Sequence, residues 1–354
     1  MKRHPFLGMA SSALLLAAAS ISPAWAAPEL RFYGLVDVWA GSQRLPGARS
    51  EGLISDGGMS TSYLGVSASD EFAPGYKGIV QLEGFFRPTD GQWGRFDGDL
   101  TLARNANAGI ESPYGTVRIG RVTSPLFVST ILFNPFVDSY VFSPIIAHTY
   151  LGMGTYPPYD TDQGLIGDSG WSRALQYESP DMHGLTVNVT YGASDSSEHN
   201  SAKKVGGRVM YASGAFAATA GYQYLSYNSS AGDLDQLMPG MTSQSTGLLG
   251  ASYDFKVAKL FAQYLFTDNH RNGGNWKVNT SQLGVSVPIG KGSALAAYAY
   301  SRDSGGMHQT RNTWSLGYDY PFNKYIDAYV AYMRDEISDL SGGYTVGAGL
   351  RLSF

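Results

Sequence analysis

Apolar and polar residues alternate in steps of two along much of this chain, and the final segment does so without a break. From Tyr344 to Phe354 one face carries Tyr344, Val346, Ala348, Leu350, Leu352 and Phe354, while the other carries Thr345, Gly347, Gly349, Arg351 and Ser353. Successive side chains of a strand point to opposite faces, so this spacing predicts a β-strand with one apolar and one polar surface. A tilted strand of roughly ten residues is long enough to cross the apolar band of a bilayer. Phe354, on the apolar face, is expected to point outward at the membrane interface. Taken alone, the segment also fits an edge strand in a soluble sandwich.

Sixteen strand-like segments follow one another, starting near Leu30, Gly58, Tyr76, Asp99, Tyr114, Trp171, Gly184, Lys203, Ala215, Gln244, Val257, Trp276, Ser293, Gln309, Tyr325 and Gly343. Leu185, Val187, Val189 and Tyr191 oppose Thr186, Asn188 and Thr190, whereas Tyr211 to Tyr224 is too rich in Ala and Gly for its faces to be assigned. Tight links such as Ser112-Pro113, Ser213-Gly214 and Pro288 to Gly290 alternate with longer polar ones such as Gly41 to Gly57, Pro88 to Gly98 and Asn228 to Ser243. An even number of strands with short turns at one end and long loops at the other predicts an all-β fold. That fold is a single 16-stranded antiparallel transmembrane β-barrel whose ends meet.

One connector is not a plain loop. Residues 122–172 hold no Lys or Arg, four Asp (138, 160, 162, 168), and an apolar run that includes Phe127, Ile131, Phe133, Phe136, Phe142 and Ile146. Connectors this long are uncommon and often functional. The simplest account is a third loop folded into the barrel lumen with its apolar side on the inner wall. The competing reading is an unrecognised pair of strands around Ser139 to Tyr150.

Composition agrees with a membrane barrel. Charged residues make up 15% of the chain, with 44 Gly and 24 Tyr, against roughly 25% charged residues in soluble proteins. Beyond the N-terminus there is no apolar run of about eighteen residues, so no transmembrane helix is expected. Met1 to Ala26 has a basic start (Lys2, Arg3), an apolar centre and Ala24-Trp25-Ala26, the pattern of a secretory signal peptide cleaved after Ala26. Its loss moves the formal charge from −4 to −6, leaving residues 27–354 as one exported domain. The absence of cysteine excludes a disulfide scaffold and thiolate metal sites. An acidic chain without a basic tract gives no reason to expect nucleic-acid binding.

Chemistry is sparse. Catalysis would require a His with a nucleophile or carboxylate, and the one conceivable pairing is His148 with Asp138 or Asp160. Asp233 with Asp235, or Asp335 with Glu336 and Asp339, carry oxygen ligands of the kind that hold Ca²⁺, but solvated loop acids are the better account of them. No cofactor is expected, and Gly273-Gly274 and Gly305-Gly306 precede no helix that would make them phosphate cradles.

A set of motifs in order resembles a known family. These are Phe32-Tyr-Gly-Leu-Val-Asp37, Ser60-Thr-Ser-Tyr-Leu-Gly-Val66, Gly78-Ile-Val-Gln-Leu-Glu-Gly-Phe-Phe86, Tyr114-Gly-Thr-Val-Arg-Ile-Gly-Arg121, Gln176-Tyr-Glu-Ser-Pro180, Gly184-Leu-Thr-Val-Asn-Val-Thr-Tyr191 and the terminal Phe354. Together they resemble the trimeric, 16-stranded general porins of Gram-negative bacteria, in their β-proteobacterial version. The resemblance implies that Pro125 to Gly170 forms the constriction. It also implies that Tyr344 to Phe354 is read by the outer-membrane assembly machinery, and that Pro88 to Gly98, with Trp93, Arg95 and Asp97, latches onto an adjacent subunit of a homotrimer. The small residues Gly34, Ala40, Gly65, Ala68, Ala106 and Ala108 would let a neighbouring barrel approach.

The resemblance also implies a basic wall facing the loop, and here the chain departs from it. Tyr63 stands where many relatives have Arg, and Gly170 aligns with another wall Arg, with Arg173 three residues on. Arg104 matches the third, in a strand expected from Leu100 to Ile110. Arg87, Arg118 and Arg121 are candidates to compensate. Strict alternation turns Arg118 inward and Arg121 to the opposite face. Asp138 is the expected loop acid opposite Arg104. The expected function is a water-filled channel in the outer membrane, among lipid and lipopolysaccharide, for passive diffusion of small hydrophilic solutes and ions. A substrate-preferring channel for an organic anion or sugar, and a closed adhesin-like barrel, are the alternatives.

Overall fold

The computed structural model describes residues 28–150, 166–193, 203–226, 240–305 and 308–354. The signal segment, Asp160, Asp162, His199, Asp233 and Asp235 lie outside the described residues. The chain runs through β1 (Glu29–Arg44), β2 (Glu51–Asp56), β3 (Tyr63–Ala73), β4 (Tyr76–Arg87), β5 (Gln92–Trp93), β6 (Asn105–Ser112) and β7 (Gly115–Thr123). Two helices, α1 (Pro125–Leu132) and α2 (Pro144–Thr149), precede β8 (Gly170–Glu178), β9 (Leu185–Ala193), β10 (Lys203–Ser213), β11 (Phe216–Ser226) and β12 (Met241–Asp254). The last six are β13 (Lys259–Arg271), β14 (Trp276–Ile289), β15 (Gly292–Ser304), β16 (Thr310–Pro321), β17 (Ile326–Ile337) and β18 (Gly343–Ser353).

Sixteen of these strands form the wall, each antiparallel to its neighbours. β1 closes it, pairing with β18 from Leu35↔Ser353 to Arg44↔Tyr344 and with β3 from Glu29↔Ser69 to Leu35↔Tyr63. Closure matters because an unpaired backbone group in hydrocarbon costs several kcal/mol, and a closed barrel has no edge. β2 extends the first hairpin beside the upper half of β1, and β5 is a short pair in the second loop.

Alternation survives the folding. Leu350, Leu352 and Phe354 are exposed on the outer face, while Thr345 and Gly347 are buried within. Arg351 points inward to the carboxylates of Asp319 (2.9 Å) and Asp327 (3.1 Å). Tyr114, Tyr253, Phe255, Phe322 and Tyr325 stay exposed around the short-turn rim, the amphipathic girdle a membrane interface favours.

Two starts differ from the sequence reading. The strands expected near Gly58 and Asp99 begin at Tyr63 and Asn105. In both places the chain before the strand bends or turns and forms no ladder, and side chains help to hold it, Asp37 accepting Met59 N–H and Arg121 Nε donating to Ala103 O. Gly65, counted among outward small residues, faces inward, where an added Cβ would lie 2.6 Å from the Tyr33 ring. Asp335 and Glu336 form no cluster: Asp335 is buried against Arg311 and Glu336 pairs with Arg334.

The third loop, between β7 and β8, folds into the lumen as two helical turns rather than a strand pair. Ser124 and Ser143 cap the helices, their hydroxyls accepting from Phe127 N–H and Ile146 N–H, with Pro125 and Pro144 in the first turns. Leu126, Phe127, Ile145, Ile146 and Tyr150 pack with Leu248 and Leu265 of the wall in one buried cluster. Inward glycines make room for the loop. A Cβ on Gly284 would stand 2.6 Å from Pro135 Cδ, and one on Gly250 3.2 Å from Phe133 Cγ.

Candidate pore constriction

Opposite the docked loop, β4 sets the chemistry of the wall. Val80 and Leu82 face outward and are exposed, which turns Gln81 and Glu83 inward. Glu83 is 1% exposed. It accepts hydrogen bonds from Tyr33 Oη (2.7 Å), Gln81 Nε2 (2.8 Å) and Asn105 Nδ2 (2.7 Å), and it forms an ion pair with Arg104. The Arg104 guanidinium also lies over the Tyr63 ring, 4.0 Å from its centroid. Such a contact with a half-buried ring is worth about 0.5–2 kcal/mol. Arg104 does not sit within a strand as expected, because β6 begins one residue later. Its backbone N–H still reaches Glu83 O at 3.3 Å. The wall cation is therefore matched by a carboxylate in direct contact.

Asp138 lies in the turn between α1 and α2, a turn made by Val137 in a left-handed conformation (φ 47°) and braced by Asn134 Nδ2 on Val137 O (2.7 Å). Its carboxylate accepts from Ser60 Oγ at 2.9 and 2.8 Å rather than from an arginine. Burial pushes the Asp138 carboxyl above its ordinary range, opposed by the Ser60 hydroxyl and by the positive charges of Arg104 and Arg351. Arg104 and Asp138 thus share one electrostatic neighbourhood, each held by its own partner.

The other candidate cations are dispersed. Arg118 faces a lumen cavity of about 340 Å³ with Arg31, Lys77, Glu29 and Glu111, toward the end where the chain termini lie. Arg87 belongs to the second loop, bound to Asp97 (2.6 Å) and Asp90 (3.2 Å). Arg121 is 5% exposed and donates to Ala103 O (2.5 Å), Ser172 Oγ (2.9 Å) and Asp168 Oδ2 (2.5 Å). Asp168 also receives Arg95 at 2.8 Å. Despite burial, Arg121 and Arg95 hold its carboxyl well below the usual range. Arg173 is exposed with φ 51°, in a bulge where β8 has two residues opposite Arg121. At position 170 an added Cβ would meet the Arg121 guanidinium at 2.7 Å. Arg95, in the loop expected to reach a neighbouring subunit, is engaged within its own chain.

His148 is not paired with Asp138. Its Nδ1 lies 2.6 Å from Ser301 Oγ and its Nε2 2.7 Å from Thr313 Oγ1, docking α2 to the wall. Burial, with help from Arg311, keeps the ring neutral by pushing its pKa far down. Gln263 Nε2 donates to Thr130 O (3.0 Å) and Phe133 O (2.8 Å), Gln282 Oε1 accepts from Ile145 N–H (3.2 Å), and Arg311 Nη1 donates to Ala147 O (2.7 Å). Sequence reasoning missed these anchors and Glu83. Glu83 had a signal, since Val80-Gln-Leu-Glu83 alternates cleanly, but the anchors had none, because a Gln on an inward face looks like any solvated lumen residue.

Residues 10–340 match the family model described as Gram-negative porin. The chain is 26% identical over 302 residues to outer membrane porin protein 32 of Delftia acidovorans, covering 82% of this chain and 79% of that one. It is 25% identical to an outer membrane porin protein of Bordetella pertussis, covering 96% and 99%. An anion-selective porin from Comamonas acidovorans superposes with a TM-score of 0.75 at 21% identity, over 93% of this chain and all (100%) of that one. OmpT of Vibrio cholerae, in a trimer form, gives 0.66 at 15% over 93% and 100%. With the family matched over nearly its whole length and a closed barrel around a polar lumen, the chain belongs to the Gram-negative porin family and forms an outer-membrane channel for passive diffusion of small hydrophilic solutes and ions.

Proposed function

We propose that the narrowest part of this channel lies between Asp138 on the third loop and the Tyr63–Arg104–Glu83 cluster on the wall, and that it gives little or no anion preference. The observation that carries this reading is the Arg104–Glu83 ion pair, which cancels the one matching wall cation where Tyr63 and Gly170 supply none. A fixed charge about 8 Å from the ion path in water is worth about 0.5 kcal/mol, roughly twofold in the local concentration of each ion and about fivefold in the anion-to-cation ratio. Reversal potentials across a salt gradient test it. Arg104→Ala moves selectivity toward cations and Asp138→Asn toward anions, each by about that factor. Both shifts shrink as salt shortens the screening length. If both variants keep the wild-type potential at low salt, the constriction lies elsewhere.

In this reading the protein is a passive channel with no catalytic role. Residues 1–26 are removed on export, and the mature barrel sits among lipid and lipopolysaccharide. It assembles as a homotrimer through the outer face of β1, β3 and β4, where Phe32, Leu64, Leu82 and Trp93 are exposed around an apolar depression. The last strand engages the outer-membrane assembly machinery. Phe354, exposed on the outer face, supports that role, and its deletion lowers the amount of folded protein in the outer membrane far more than it changes single-channel conductance. Wild-type levels of folded protein after the deletion would contradict it.

A further inference from the structure

Asp37 lies on the inner face of β1 with no solvent exposure, and among the described residues it forms no ion pair. It instead gathers the chain that returns from the first loop. Oδ2 accepts the backbone N–H groups of Met59 and Ser60, both at 2.8 Å, and Oδ1 accepts Gly58 N–H at 3.2 Å. Tyr329 Oη, from β17 across the barrel seam, donates to Oδ1 at 2.5 Å. Asp37 O receives Gly57 N–H (2.9 Å), and Ser62 Oγ bridges the Asp37 N–H (2.9 Å) and carbonyl (3.2 Å). A buried carboxylate filled by several backbone N–H donors is a strong, directional anchor, since each charge-assisted bond is about twice as strong as a neutral one. A Cβ at position 58 would stand 2.0 Å from Tyr329 Oη, so a side chain there would push that hydroxyl off Asp37.

The anchored segment leads to the constriction. Ser60, whose N–H is held by Asp37, is the residue whose hydroxyl holds Asp138. A second tie runs the other way, from Ser139 Oγ to Gly58 O at 2.6 Å. The third loop is fixed to the wall through α1 and α2, but the acidic turn between them is fixed through the first loop.

We infer that Asp37 is a positioning residue for selectivity: through Gly58–Ser60 it sets where the Asp138 carboxylate stands in the pore. The inference rests on the reading of Asp138 as the loop-side charge, and the experiment separates the two. Reversal potentials in a salt gradient are measured for Ser60→Ala, Asp37→Asn and Asp138→Asn, and for the first two combined with Asp138→Asn, with heat-resistant folded protein verified for each. Ser60→Ala carries no charge change of its own, and at alkaline pH, where Asp138 stays ionised without the Ser60 hydroxyl, any shift it causes comes from moving Asp138. It is expected to shift selectivity toward anions, less than Asp138→Asn does, and to have no effect once Asp138 is Asn. Asp37→Asn is expected to shift selectivity further in the wild-type background than in the Asp138→Asn background. With Asp138→Asn active, a silent Ser60→Ala, or equal Asp37→Asn shifts in both backgrounds, overturns the positioning role. A silent Asp138→Asn overturns the constriction reading and this inference with it. Should Asp37→Asn not fold, the Ser60→Ala pair decides alone.

Discussion

The two sides of the lumen are built from different residues. Under the docked loop, strands β11 to β16 present Thr219, Thr246, Gln263, Thr280, Gln282 and Ser315, buried and uncharged, with inward glycines between them. On the opposite side, β1, β4, β6 and β7 present Arg31, Lys77, Glu83, Glu111 and Arg118, and Arg104 stands just before β6. The first side holds a loop, and neutral amides and hydroxyls do that without the desolvation penalty of burying a charge. The second side faces water and ions, where fixed charges create the field that permeating ions sense. Anchoring and selecting are thus separated around the barrel.

The largest effect is expected where that separation is broken. Among the described residues, Arg311 is the one charged side chain of β11 to β16 shown bonded to the docked loop, tied to Asp335 (2.9 and 2.6 Å) and to Ala147 O. Arg311→Met leaves Asp335 as an uncompensated buried charge, a loss of about 3–5 kcal/mol. The loop then loses its single seat, and the sharp single-channel conductance peak broadens into several levels. An unchanged peak would show that the loop is held without Arg311. An intermediate effect is expected from Glu83→Gln, which removes one charge and frees Arg104, raising the anion-to-cation permeability ratio about fivefold. No change in reversal potential would mean that Glu83 does not act on the ion path.

The smallest effect is pH-dependent. Burial raises the Asp138 carboxyl, so on acidification it loses its charge at a higher pH than an exposed aspartate does. Selectivity therefore moves toward anions while ordinary carboxylates near pH 4 are still ionised. Subtracting the titration of Asp138→Asn isolates this step. A difference curve flat until ordinary aspartate range would place Asp138 in open water.

The fold was legible because a membrane barrel writes itself in period two: Val80-Gln-Leu-Glu83 and Leu350-Arg-Leu-Ser353 alternate as their surroundings demand. The inserted loop was legible for a related reason, since its apolar side chains had no place on an exposed connector. Residues that work by meeting distant partners were not. Nothing local to Ser60 marks it as the partner of Asp138, and nothing around Arg121 announces that Asp168 and Ala103 close over it. Arg104 was found by alignment to a motif, but the field it exerts depends on Glu83, a residue on another strand. The boundaries at Tyr63 and Asn105 lie later than alternation predicts because the preceding chain bends and turns, held by bonds to distant side chains such as Met59 N–H to Asp37 and Ala103 O to Arg121.

Neutralisation of Arg104 by Glu83 where it stands is read from the zero-current potential of the wild-type channel. In a gradient of potassium chloride, whose two ions have nearly equal mobility, a potential of zero or of the sign that marks potassium permeation is expected at low salt, where screening is weakest. A large potential of the sign that marks chloride permeation, falling as salt rises, would contradict it, because an Arg104 neutralised by Glu83 could not produce that field.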